Sequence, residues 1–114
     1  MSLSTRVAIS RYLSSRINRE EIRAYVRFVL AKEFGISSLP MLEYIIKREA
    51  NYNPYALNSS SGAGGMFQAL PPSKMGCTTS ADIDCQITFF INYIKNRYKT
   101  PQQAYYFWLA NNYY

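Results

Sequence analysis

Glu49 stands where a carboxylate can do chemistry. Leu42, Ile45, Ile46 and Glu49 fall at i, i+3, i+4 and i+7, so a helix over residues 41–50 puts this carboxyl group on its apolar stripe, at the end of the element. A carboxyl among apolar neighbours loses hydration, its charged form is disfavoured, and it titrates high, in the range useful to a general acid. Lys47 and Arg48 are neighbours in sequence only, since side chains one and two positions apart do not face each other on a helix. The plainer alternative is a helix-end Glu that swings into solvent or pairs with a basic residue. Composition narrows the remaining chemistry. Among 114 residues there is no His, which excludes Ser-His-Asp and Cys-His nucleophile systems, and two Cys do not make a zinc cluster. Proton transfer is left to carboxylates, Lys or Tyr, and no metal or cofactor is expected.

Other groups could surround such an acid. Gln68 carries an amide that both donates and accepts, which suits a sugar hydroxyl or an N-acetyl group, although a lone Gln is as easily structural. Gly62, Gly64 and Gly65 let the backbone approach a ligand closely, and a flexible surface loop has the same composition. Asn53-Pro54 favours a tight turn that would swing the chain back across Glu49 and shield it from water, or it is an ordinary helix exit. Six of the ten residues 105–114 are aromatic. Ala104, Phe107 and Trp108 share a helical face, so most of these rings belong to the core, with one or two near the end free to stack on a flat sugar face. Cys77 and Cys85, eight positions apart, either form a disulfide suited to an oxidising setting or remain separate thiols, which geometry decides.

The elements that must position these groups are helical. Residues 18–34 carry Ile22, Tyr25, Val26, Val29, Leu30 and Phe34 at helical steps, with Asn18 as N-cap, Glu20 and Glu21 in the first turn and Gly35 just past the end. A weaker helix with Val7, Tyr12, Leu13 and Ile17 on one side precedes it. Ser38 with Pro40 starts the Glu49 helix, residues 51–73 turn to Asn, Pro, Ser and Gly, a helix spans 79–99, and Thr100-Pro101 caps a last one to about 111. The expected fold class is mainly α, a small helical domain with an irregular Gly/Ser-rich loop. Residues 1–38 read as a basic helical hairpin packed on a core of residues 39–114, one structural domain overall.

The stretch Glu49-Ala50-Asn51-Tyr52-Asn53-Pro54-Tyr55-Ala56, followed by Gly62-Ala63-Gly64-Gly65-Met66-Phe67-Gln68, resembles the paired signature of lysozyme-like lytic transglycosylases: a helix-ending Glu-Ser, an Asn-Pro-x-Ala turn and a Gly-Ala-x-Gly-Leu-x-Gln segment. Ala104-Tyr105-Tyr106-Phe107-Trp108 and Asn112-Tyr113-Tyr114 look like the endings of transglycosylase modules in phage tail and Gram-positive wall proteins, so the resemblance covers residues 39–114. It implies a lysozyme-like fold with a sugar cleft, Glu49 as the catalytic acid and Gln68 lining the cleft. Asn58, Phe67, Tyr93, Tyr106 and Trp108 are the further substrate contacts expected with it. The sequence departs from the pattern at Ala50, where a Ser that orients the Glu is usual, at Met66-Phe67, and at Asn112 in place of Gly.

Glycoside cleavage usually takes two carboxylates. Beyond Glu33, the acids other than Glu49 are Asp82 and Asp84, which suit a helix start, and Glu43, which projects from another face of the Glu49 helix, so no nucleophile is evident. The resemblance then implies cleavage of the MurNAc–GlcNAc bond of peptidoglycan by a single Glu, giving anhydro-muropeptides. A hydrolytic muramidase and a non-catalytic wall-binding module are the alternatives. Lys and Arg number 13 against 7 Asp and Glu, a formal charge of +6 that favours anionic wall polymers beside the glycan. Arg6, Arg11, Arg16, Arg19, Arg23, Arg27 and Lys32 form a basic run over two helices, but Glu20, Glu21 and Glu33 interrupt it, and a solvated basic face is a simpler account than nucleic-acid binding. With no transmembrane run and no cleavable signal peptide read, the expectation is a monomeric module of a longer protein in the extracellular wall or a phage virion.

Overall fold

Asn18 opens the first long helix with its own side chain: Oδ1 accepts the Glu21 amide at 3.1 Å, while Glu20 and Glu21 put negative charge on the first turn. This element, α1 (Arg19–Phe34), ends at Gly35, whose φ of 90° suits only glycine at low cost. The computed structural model describes residues 2, 5, 6, 8, 9, 18–77 and 82–114. Most of the weaker helix expected ahead of α1 lies outside them, although residues 5, 6, 8 and 9 are helical.

A 3-10 turn (Ile36–Ser38) leads into α2 (Leu39–Glu49). Ser38 stands at the helix start as its type suggests, but its Oγ donates back to the Phe34 carbonyl at 3.2 Å and does not cap the new helix. After α2 the chain is irregular as far as a 3-10 turn at Pro72–Met75, with isolated bridges pairing Gly64 with Leu57 and Ala69. Asp82 caps α3 (Ile83–Tyr93) by accepting the Cys85 amide at 3.0 Å; residues 79–81, expected in this helix, lie outside the described ones. The α-helix does not run to residue 99. It widens into a π turn at Ile94–Tyr98, which keeps both Ile94 and Tyr98 buried. Thr100 then caps α4 (Pro101–Asn111) through the Gln103 amide, and Asn112 closes it in the left-handed conformation (φ 62°) that a Gly would otherwise supply.

The fold is therefore mainly α, with four α-helices among the described residues. Its single core takes Ile22, Val26 and Leu30 from α1, Leu42, Ile45 and Ile46 from α2, and Ile83, Ile87 and Phe90 from α3. The irregular segment joins this core through Tyr52, Met66 and Phe67, and the Phe67 ring stacks on Phe90 with centroids 4.2 Å apart. A radius of gyration of 13.2 Å is that of one compact domain of this length. Among the described residues no helix is long and apolar enough to cross a membrane.

Part of the basic run is engaged internally. Glu43 on α2 pairs with Arg27 and, at 3.8 Å, with Arg23, and accepts the Tyr52 hydroxyl at 3.3 Å. Burial, followed by the Glu43 charge, pushes the Tyr52 phenol up to about 12. Arg6 meets Asp84 at 2.8 Å. The solvated basic face is thus narrower than the sequence suggests, and Arg11 and Arg16 lie outside the described residues.

Cys77 and Cys85 form a disulfide with Cα atoms 5.8 Å apart, tying the segment after Pro72–Met75 to the first turn of α3. Closing a loop this short should stabilise by about 2–3 kcal/mol through the unfolded chain. Reduction, or Cys77→Ser with Cys85→Ser, is expected to lower Tm by roughly 10 °C in a thermal melt; an unchanged Tm would show that the crosslink constrains nothing.

Candidate functional site

Glu49 is the last residue of α2, one step along the stripe of Ile45 and Ile46, so the helix itself delivers its carboxyl to the edge of the core. There it faces a cavity of about 300 Å³. The irregular segment lines it with Asn58, Ser61, Ala63, Gln68 and Leu70, and Tyr113 and Tyr114 line it as well. Neither basic neighbour pairs with the carboxylate. The Arg48 guanidinium lies over the Tyr44 ring, 3.3 Å from its centroid, and Lys47 is exposed.

Two opposed influences set the proton on Glu49. Burial raises its pKa above the ordinary value, and a hydrogen bond from Trp108, whose Nε1 donates to Oε1 at 3.0 Å, pulls the other way; burial prevails. An indole N–H only donates, so Oε1 is the acceptor of this bond and Oε2 is not engaged by it. Trp108 is itself held edge-on to Tyr44 at 5.4 Å. In this way Trp108 orients the carboxyl, a task the residue after Glu49, here Ala50, has no polar group to perform.

Gln68 has a φ of 54°, and its Nε2 donates to the Gly65 carbonyl at 2.9 Å, which fixes the side chain beside the cavity. Asn58 also lines it, but its Oδ1 accepts the amides of Ser60 and Ser61, so its first task is to shape the turn. Tyr114 donates to the Phe67 carbonyl at 2.6 Å and receives the Tyr93 hydroxyl on its own backbone oxygen at 3.2 Å. Burial, then the Glu49 charge, pushes the Tyr114 phenol well up, so it stays a donor.

Several expected contacts fall elsewhere. The Phe67 side chain is 1% exposed and belongs to the core, because it stacks on Phe90. Tyr106 is 64% exposed and does not line the cavity; it is two positions from Ala104 and Trp108 and so projects from the other side of α4. Trp108 addresses the acid and does not wall the cavity, and Tyr93 lines a neighbouring pocket. The Asn53-Pro54 turn does not line the Glu49 cavity, and the Pro54 carbonyl accepts from Gln86 on α3 at 3.1 Å. Gln86 also accepts the Met66 amide at 2.8 Å and so fastens both arms of the irregular segment. Its signal was a polar residue on the stripe of Ile83, Ile87 and Phe90. Ser61, Ala63 and Leu70 carry no comparable signal.

None of the other six of the seven Asp and Glu residues lines the cavity. Glu43 is held by α1, Glu33 pairs with Lys95, Asp82 caps α3 and Asp84 meets Arg6. No group of three or more His, Cys, Asp or Glu among the described residues is placed to hold a metal ion. No family model, curated protein or solved structure matches the chain.

Trp108→Phe removes the donor while keeping a ring in place. Without the bond that favours the ionised form, the Glu49 pKa should rise further, so the alkaline limb of kcat/KM for any reaction that uses Glu49 as an acid moves to higher pH. Loss of orientation should lower the plateau by roughly 10–100-fold. A profile that keeps its alkaline limb in place would deny Trp108 this role.

Proposed function

We propose that this chain cleaves peptidoglycan glycan strands as a lytic transglycosylase of the lysozyme-like kind, acting in the extracellular wall or from a phage particle. The observation that carries the reading is a partly buried, Trp-oriented carboxyl of raised pKa facing a cavity that also holds Gln68 and that no second carboxylate lines. The motif resemblance supplies the substrate. Glu49 gives its carboxyl proton to the bridging oxygen as the bond to the anomeric carbon of muramic acid breaks. The carboxylate then takes the proton of the six-hydroxyl of the same sugar as that oxygen attacks the anomeric carbon. One C–O bond breaks, one forms, and the proton on Glu49 is restored with no water consumed. Both steps need only one acid/base group, in keeping with the dispersal of the other carboxylates. Gln68 and Asn58 offer amide groups for sugar hydroxyls and N-acetyl groups.

Mass analysis of soluble products from purified peptidoglycan tests the reading. Anhydro-muropeptides are expected. Reducing muramic ends would mean that water takes the place of the six-hydroxyl and the chain is a muramidase. Binding without any release would leave a wall-binding module.

A further inference from the structure

Gln68, Leu70 and Tyr114 line two cavities at once: the one that holds Glu49, and a neighbouring one of about 140 Å³. Beyond these shared residues, the walls of the second pocket include two rings, Phe89 and Tyr93, and one cation, Lys74. Lys74 is placed by the 3-10 turn Pro72–Met75, where its amide donates to the Pro71 carbonyl at 3.0 Å. Its ammonium lies 5.4 Å from the centroid of the Tyr93 ring, near enough for the ring face to attract it. Arg6, Arg23, Arg27 and Lys95 each reach a carboxylate, whereas Lys74 makes no ion pair among the described residues. A polymer lying along Glu49 and Gln68 would bring its next unit against the two rings and its negative charge against Lys74.

We infer that the second pocket is a subsite continuous with the Glu49 cavity, in which Lys74 binds a carboxylate of the glycan substrate and so discriminates muramic-acid strands from neutral N-acetylglucosamine polymers. The inference rests on the glycan reading of the Glu49 cavity. Two carboxylates fit the same chemistry, the lactyl group of the sugar and the acids of its peptide stem, and the probes must separate them.

The test measures affinities of Glu49→Gln protein, with and without Lys74→Gln, for three ligands. These are a chitin oligomer with no carboxylate, glycan strands stripped of peptide and so bearing lactyl carboxylates, and strands with intact stems. Lys74→Gln should leave the chitin oligomer unaffected and weaken carboxylate-bearing strands by about fivefold. Lys74→Arg should largely restore them, and the salt dependence of binding should flatten in Lys74→Gln. Weakening on stripped strands assigns the lactyl group; weakening confined to intact strands assigns the stem. Unchanged affinity for both carboxylate-bearing strands overturns the inference and leaves the Glu49 reading in place. Failure of all three ligands to bind overturns the glycan reading and the inference with it.

Discussion

Glu49→Gln is expected to reduce the proposed glycan cleavage by about 10²–10⁴-fold, the usual worth of a positioned proton donor, while leaving the fold intact. The amide keeps the size of the side chain and can still accept from Trp108, but it has no acidic proton for the leaving oxygen. The same substitution should not cost stability. Burial raises the Glu49 pKa, so over a range of pH the folded protein holds a proton that the unfolded chain has released. The stability due to Glu49 is complete below the unfolded-chain value and is lost as pH rises through the folded value. An amide does not titrate and escapes that loss, so the variant should match wild type in acid and equal or exceed it at pH 8. Thermal melts at several pH values read this directly. For the wild type, kcat/KM should fall as pH rises through the folded Glu49 pKa, because the free enzyme must start with the proton in place. Wild-type lytic activity in the variant would remove Glu49 from the mechanism.

Gln86→Ala should be the most damaging single truncation for the irregular segment. It leaves the Met66 amide and the Pro54 carbonyl without their buried partner and opens space beside Gly65, where a β-carbon would stand 2.9 Å from the Gln86 Oε1. Two orphaned backbone groups amount to about 3–4 kcal/mol, or roughly 10–15 °C in Tm. Cleavage should fall as well, since Met66 and Gln68 belong to the same turn. Gln86→Glu separates the hydrogen bonds from the shape. A protonated carboxyl can accept from Met66 and donate to Pro54, whereas a carboxylate can only accept and is buried charged. The deficit of this variant should therefore shrink as pH falls. A deficit independent of pH would mean that the side chain acts by filling space alone.

Both residues show why sequence periodicity read the site only in part. Glu49 and Gln86 are polar groups at positions where a helical stripe demands apolar ones; the rule singled out Glu49, and Gln86, which carries the same signal, was passed over. Periodicity also placed α1, α2 and α4: Asn18 and Thr100 cap α1 and α4, and α2 follows from its buried face of Leu42, Ile45 and Ile46 with Pro40 in its first turn. It failed at Ile94–Tyr98, where a π turn replaces the 3.6-residue repeat. Within residues 50–71 there was no repeat to follow, and tertiary contacts decide the outcome: Phe67 enters the core against Phe90, and the Pro54 carbonyl docks on Gln86 of α3. Tyr106 and Trp108 differ by two positions on one helix, which is enough to send one to solvent and the other to the acid.

The motif-bearing stretch begins near residue 39, yet a graft or truncation at that seam would not carry a working unit. It would strip Ile22, Val26 and Leu30 from the faces of α2 and α3 and leave Glu43 and Tyr52 without Arg23 and Arg27. The transplantable cassette begins no later than Asn18, so its modular boundary lies a full helix upstream of its recognisable sequence signature.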